Sequence, residues 1–241
     1  MALRTDEIGF GDLKLIQNPE EFCYGVDAVL LADFATNKQI KFKSALDMGC
    51  GNGIIPLILS YKNPRARITG IDVIETNVSM ASDSVKLNNL QDRIEIKHMD
   101  VLNVPDEMER ESVELVTCNP PYFPKGGGII NGNVAKFTAR QETTAELEDF
   151  VKAAAFVLKD KGHFVMIHRP SRLADIMHFC RLYRLEPKEM RMICPRAGKA
   201  ANMVLIHAIK GAGKELKILP DLNIHDSGNG YTSELLKAYE K

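Results

Sequence analysis

The sequence predicts an α/β protein built on a doubly wound, mostly parallel sheet, and three observations carry that expectation. From Ser44 onward, short β-rich runs alternate with segments of helical length. The first run ends in a glycine-rich turn, Gly49-Cys50-Gly51-Asn52-Gly53. Polar residues then stand at the ends of successive runs: Asp72, Asp100 and Asn119. Strands separated by helices need crossover connections, and crossovers of one hand build a parallel sheet covered on both faces. With 241 residues, 45% of them apolar, the chain can bury one substantial core.

Taken in order, Leu13–Gln17 reads as extended and Asp27–Ala35 as a helix. Strands are expected at Ser44–Met48, Arg67–Val73, Ile94–Met99, Val113–Cys118, His163–His168, Glu189–Cys194 and Met203–Ile209. Helices are expected at Ile54–Tyr61, Glu75–Asn89, Ala145–Leu158 and Ser171–Tyr183. Too few residues separate the last two strands for a crossover, so they should form an antiparallel hairpin. Phe123 to Thr144 shows little regular pattern, and a loop of that length inside a domain is usually functional. The division this suggests is an N-terminal extension, 1–43, and one domain, 44–241.

Composition narrows the function. Five scattered cysteines without a C-x-x-C pair point to reduced thiols, and dispersed histidines give no metal-ligand spacing, so no metal is expected. No window approaches 18 continuous apolar residues, which predicts a cytoplasmic protein without a membrane partner. Net charge is only −1, yet residues 169–217 hold 11 Lys and Arg against 4 Asp and Glu. Such a stretch is either a solvated face or the contact surface for a polyanion.

The glycine turn has the spacing G-x-G-x-G; Ile54 stands where a dinucleotide fingerprint would place its last glycine, which disfavours a nicotinamide cofactor. Asp72 is placed to accept from ribose hydroxyls and Asp100 from an adenine amino group. Each acid alone also suits a turn. Together with Asp47 they predict a nucleoside-containing cofactor at the carboxyl ends of the strands.

Asn119-Pro120-Pro121-Tyr122 closes the fourth strand. With Asp-x-Gly-x-Gly-x-Gly at 47–53, it resembles the class I S-adenosylmethionine methyltransferases that act on planar amino or amide nitrogens. That resemblance implies a seven-stranded sheet, S-adenosyl-L-methionine over the glycine turn, and cofactor contacts from Asp47, Gly49, Cys50, Gly51, Gly53, Asp72, Val73, Asp100, Val101 and Asn119. An exocyclic amino nitrogen is a poor nucleophile because its lone pair is delocalised into the ring. The Asn119 side-chain carbonyl and the Pro120 backbone carbonyl can each accept one of its N–H bonds and turn the lone pair toward a methyl donor. Pro121 stiffens the corner, and Tyr122 stacks on the base, a contact of about 1–3 kcal/mol.

Three flanking segments, Phe22-Cys23-Tyr24-Gly25-Val26-Asp27-Ala28-Val29-Leu30-Leu31-Ala32, Arg196-Ala197-Gly198-Lys199-Ala200-Ala201-Asn202 and Gly230-Tyr231-Thr232, are similar to the bacterial tRNA1(Val) adenine-37 N6-methyltransferase family. The similarity spans about Leu13 to Tyr239. It implies an RNA partner, tRNA, with Tyr24, Gly25 and Asp27 near the methionine end of the cofactor; Asp27 is equally placed to cap a helix. Lys125, Lys136, Arg140, Arg196 and Lys199 are the candidate RNA contacts. Guanine-N2 methyltransferases of rRNA and release-factor glutamine-N5 methyltransferases share the core pattern. An RNA-binding protein holding its cofactor structurally is the non-enzymatic alternative.

Overall fold

The computed structural model describes residues 3–20, 23–36, 40–121, 145–228 and 230–240. Its strands are β1 (Arg4–Glu7), β2 (Lys14–Gln17), β3 (Ser44–Met48), β4 (Arg67–Asp72), β5 (Ile94–His98), β6 (Val113–Cys118), β7 (Leu158–His168), β8 (Leu185–Cys194), β9 (Met203–Lys210) and β10 (Lys217–Asn223). The helices are α1 (Val26–Ala35), α2 (Ile54–Lys62), α3 (Glu75–Leu87), α4 (Val104–Glu107), α5 (Leu147–Val157), α6 (Leu173–Leu182) and α7 (Ser233–Ala238).

Strands β3 to β10 form one sheet in the order β10-β8-β9-β7-β6-β3-β4-β5. Only β9 runs against the rest, pairing antiparallel with β7 on one side and β8 on the other. The chain walks outward from β3 through β4 to β5, then returns to place β6 on the other side of β3. That reversal makes the β3–β6 seam the topological switch point, where the loops leaving the strands diverge and open a crevice.

The central strands are apolar because both faces are covered. Leu46 and Met48 of β3 face a core with Val116 and Cys118 of β6, Phe150 and Val151 of α5 and Ile176 of α6. Ala45, Leu115, Val165 and Leu205 face the opposite core, filled by α1, α2 and α7. Residues 28–32, 34 and 35 are therefore built into the same interior as the sheet. The β1–β2 ribbon is tied to α3 by side chains: the Ile16 amide donates to Ser84 Oγ at 2.9 Å, and the Lys14 amide to Asn88 Oδ1 at 2.9 Å. Phe10, fully buried, meets Tyr61 of α2 edge-on at 5.9 Å and Tyr239, just after α7, at 6.5 Å.

The sequence reading needs correcting in several places, among them β7, which begins at Leu158 rather than His163. The sheet has eight strands rather than seven. The additional one, β10, pairs parallel with β8 at the edge, and its register shifts between Leu219 and Leu222, around Pro220, which has no amide to donate. A proline and a mostly exposed pattern conceal such a strand from a search for apolar runs. Strand β8 begins at Leu185, four residues before the expected Glu189, with its own irregularity beside Pro187. Asp27 does not cap α1, because Gly25 occupies the N-cap position and Asp27 lies inside the first turn.

If Phe10 pins the N-terminal ribbon, α2 and the C-terminal segment together, Phe10→Ala should cost about 3–5 kcal/mol of unfolding free energy. Urea unfolding of the purified variant measures this; a loss below about 1 kcal/mol would show that the three segments are held independently.

Candidate active site

The glycine turn is shaped by its neighbour strand. The Gly49 and Cys50 amides both donate to the Ile71 carbonyl at 2.9 Å, which folds the chain over the end of β4. Gly51 has φ +54, and a Cβ built there would meet nothing within 4 Å, so the backbone borders open space. At Gly53, φ +87, a Cβ would come within 3.1 Å of Ala81 Cβ on α3. The turn thus needs glycine for a left-handed conformation at one end and for helix packing at the other. Its open side forms a cradle that a side chain would fill.

Two acids brace the cradle. Asp72 accepts from the Gly51 amide through Oδ2 at 2.8 Å and from the Ile74 amide through Oδ1 at 2.9 Å, with Asn77 Nδ2 at 3.3 Å. Oδ2, with one bond, keeps accepting capacity. Burial pushes its pKa up, opposed by those same donors. Asp47 is fully buried: Oδ1 accepts from Thr117 Oγ1 across the β3–β6 seam at 2.6 Å, and Oδ2 is buried with no hydrogen-bond partner among the described residues. Burial pushes this carboxyl up to about 8, against the Thr117 bond that lowers it. A buried acceptor lacking a donor beside an open cradle fits a ligand that brings a cationic amino group.

Asp100 lies two residues beyond β5 and accepts from the Leu102 amide through Oδ1 at 3.0 Å, starting a short 3-10 turn that includes buried Val101. The Met99 amide donates to the Asp72 carbonyl, joining this loop to the one through Val73. Cys50 and Cys118 are buried, and burial pushes both thiols well up, so they pack rather than react.

Asn119 follows β6 directly, opposite the glycine turn, since Met48 and Cys118 are register partners. Its Nδ2 donates to Asp27 Oδ2 at 3.0 Å. A Cβ at Gly25 would lie 2.7 Å from Asp27 Oδ1, so the glycine gives that carboxylate its room. Pro120 is buried and Pro121 exposed. Tyr122, Lys125, Lys136 and Arg140 lie outside the described residues. Tyr24 is half-buried, just ahead of α1.

The basic stretch divides between the two ends of the sheet. Because β7 and β8 run parallel with β6 while β9 runs back, Arg169, Arg172, Arg196 and Lys199 stand at the Asn119 end, whereas Lys210 and Lys214 follow β9 to the far end. Lys210 pairs there with Glu111 at 3.1 Å. At the near end, Arg169 donates to the Asn202 carbonyl at 3.2 Å and Arg172 pairs with Asp175 at 2.6 Å. Lys199 is exposed and Arg196 half-buried. His168, at the end of β7, is buried and held near 4 by burial and by Arg172, hence neutral. Among the described residues, no cluster of His, Cys, Asp or Glu suits a metal ion, and no helix is long and apolar enough to cross a membrane.

Two contributions escape a reading of the sequence. Thr117 is visible only as one polar residue in an apolar strand, and the Asp27–Asn119 bond joins residues far apart in the chain.

Residues 13–178 match the model of the methyltransferase small domain family. The chain belongs to that family. A tRNA1(Val) (adenine(37)-N6)-methyltransferase from Porphyromonas gingivalis is 28% identical over 185 residues, covering 75% of this chain and 72% of that protein. One of the same description from Histophilus somni is 24% identical, covering 96% and 94%. In fold, the methyltransferase resembles the crystal structure of a predicted O-methyltransferase from Agrobacterium tumefaciens, with TM-score 0.70, 24% identity and coverage of 89% and 95%. It also resembles a T. thermophilus 16S rRNA N2 methyltransferase, with TM-score 0.60, 18% identity and coverage of 87% and 50%. The expectation of an S-adenosylmethionine-dependent methyltransferase accords with the family and the fold.

The buried acid of the methyltransferase gives a pH test. Asp47 has a folded-state pKa of about 8 against an ordinary 3.8. The folded protein therefore holds this proton more tightly than the unfolded chain, and stability falls as pH rises from about 4 to about 8. Asp47→Asn should flatten that part of the profile and raise the melting temperature at pH 8, while weakening binding of S-adenosylmethionine. Thermal unfolding across pH and calorimetric titration check both; a steep slope surviving in the variant would clear Asp47 of the effect.

Proposed function

We propose that this methyltransferase transfers a methyl group to N6 of an adenine in the anticodon loop of a tRNA. The observation that carries the reading is the Asn119–Asp27 bond beside the glycine cradle. A carboxylate can only accept, so it fixes the amide nitrogen on its own side and turns Asn119 Oδ1 away from itself, as an acceptor for a target N–H. Two relatives with most of their length in common with this chain are named for adenine N6.

In this reading Asp47, the glycine turn, Asp72 and Asp100 hold S-adenosylmethionine, with Val73, Val101 and Cys50 lining it. The bound donor supplies an electrophilic methyl on a positively charged sulfur. Asn119 Oδ1 and the Pro120 carbonyl each accept one N–H of the adenine amino group, drawing its lone pair out of conjugation and toward that methyl. With the donor held there, a C–N bond would form as the S–C bond breaks, leaving S-adenosylhomocysteine, and the nitrogen would shed one proton to water. Because a neutral nucleophile meets a cation, charge disperses, and catalysis is chiefly positioning at about 3–3.5 Å. Asp27 acts through Asn119 as a positioning residue. Tyr122 supplies a stacking face for the extruded base, and Arg196, Lys199, Lys125, Lys136 and Arg140 meet phosphates.

Labelled donor incubated with separate pools of tRNA, rRNA, DNA and release factor, followed by nucleoside mass spectrometry, tests the substrate. N6-methyladenosine in tRNA is expected. Methylguanosine in rRNA, or label in protein, would replace the reading with one of its rivals.

Variants at the corner separate its roles. Asn119→Ala should lower kcat by at least about 10²-fold, as loss of one positioned hydrogen-bond partner does elsewhere, with the donor Kd little changed. Asp27→Asn should lower kcat while sparing KM and the donor Kd, because its amide can no longer impose one orientation. A raised donor Kd with normal kcat would instead place Asp27 on the cofactor.

A further inference from the structure

Beyond β10 the chain makes a short hairpin held by hydrogen bonds among its own backbone and side chains. The Thr232 amide donates to the Ile224 carbonyl at 3.0 Å and the Asp226 amide to the Gly230 carbonyl at 3.0 Å. Asp226 Oδ1 accepts from the Gly228 and Gly230 amides at 2.8 and 2.9 Å. Thr232 Oγ1 donates to the Asn223 carbonyl at 2.6 Å and accepts from the Leu235 amide, capping α7. Across this hairpin His225 and Tyr231 pair as an isolated antiparallel bridge, and their rings stack with centroids 5.3 Å apart at 25°. Tyr231 remains 48% exposed. A large ring held out on a closed hairpin, over a half-buried imidazole, is an oriented aromatic surface rather than a core residue.

Its position gives that surface a context. The Ile224 and His225 amides donate to the Cys194 and Pro195 carbonyls at 2.9 and 3.0 Å, fixing the hairpin against the start of the β8–β9 loop. Arg196 is the next residue, and a turn through Gly198, φ +75, displays Lys199. The loop emerges at the sheet end that carries Asn119, three strand spacings from β6, or about 14 Å. On the other side, Leu235 and Ala238 of α7 pack in one core with α1. The Tyr239 hydroxyl is pushed up to about 12, first by burial and then by Tyr24, Tyr231 and Asp27, and its ring stacks on Phe10 at 6.5 Å.

Aromatic faces beside cations on one rim match the chemistry of single-stranded nucleic acid, whose unpaired bases stack on rings while its phosphates meet Lys and Arg. We propose that the His225–Tyr231 stack is a base-binding platform, taking an unpaired RNA base near the target adenine while Arg196 and Lys199 hold its phosphates. The proposal rests on the reading of RNA as substrate. It adds a second base contact, remote from the reacting amino group, contributed by the C-terminal segment. Since the His225 and Tyr231 rings are already stacked on one another, little side-chain freedom is lost when a base docks.

The test measures RNA binding apart from methylation, using a fluorescently labelled tRNA and its isolated anticodon stem-loop. Tyr231→Ala should weaken binding of both about 5- to 100-fold, the range expected for one lost base stack, with kcat at saturating RNA and the donor Kd unchanged. Tyr231→Phe should restore wild-type affinity. The natural chain contains no tryptophan, so Tyr231→Trp supplies a single reporter; its emission should be quenched saturably by RNA and be indifferent to donor alone. Wild-type affinity in Tyr231→Ala, or emission unmoved by saturating RNA, would overturn the platform while leaving the RNA reading standing. If the wild-type protein itself binds neither RNA, both are overturned.

Discussion

The contact on which the site depends is the bond between Thr117 and Asp47 across the β3–β6 seam. A carboxyl group in a fully buried strand is costly to ionise, and here burial outweighs the one hydroxyl that favours its charge. That cost sits where the strand order reverses, so the crevice opens over it. Register does the rest. With Asp47 opposite Thr117 and Met48 opposite Cys118, the glycine turn and Asn119 leave the sheet side by side. A slip of one residue would turn Asp47 to the other face and part the turn from the corner. The acid and the geometry of the site are therefore one constraint, and the destabilisation it brings is the kind that binding sites retain.

The corner is completed from outside the doubly wound core. Asp27 arrives on α1, which packs into the sheet through Ala28, Leu31 and Ala35, and α1 is in turn covered by α7 from the other end of the chain. Both termini thus converge on the residue that orients Asn119. Methyl transfer by positioning tolerates little looseness, since a displacement of about 1 Å can cost about 10²-fold in rate. A rigid corner supported by packed helices serves that need better than a loop would.

What the sequence made legible was local. The glycine turn, the acids that follow β4 and β5, and Asn119 each sit within a few residues of an apolar run that identifies its strand. The resemblance to a known methyltransferase pattern rested on those same short segments. Residues whose meaning depends on distant partners were hidden: Asp27 read as a neighbour of the cofactor's methionine end or as a helix cap, because its amide partner lies 92 positions away. Pro220 hid β10, since an edge strand tolerates a missing donor that an interior one does not. The basic stretch looked continuous because sequence order ignores direction; one antiparallel strand, β9, carries Lys210 and Lys214 to the far end of the sheet.

In the proposed reading, strand order also resolves a conflict between the two ligands. A cationic donor needs acids, and an anionic RNA is repelled by them. In the order β10-β8-β9-β7-β6-β3-β4-β5, Asp47, Asp72 and Asp100 leave from β3, β4 and β5, on one side of the switch point. Arg169, Arg172, Arg196 and Lys199 leave from β7 and β8, on the other. Between them stands β6, whose corner offers two neutral carbonyls. Uncharged acceptors are what that boundary requires: a carboxylate there would hold the donor's sulfur but repel phosphate, and a cation would do the reverse. On this reading three acids lie on the donor's side of β6 and four cations on the polyanion's side, although the chain as a whole is nearly neutral.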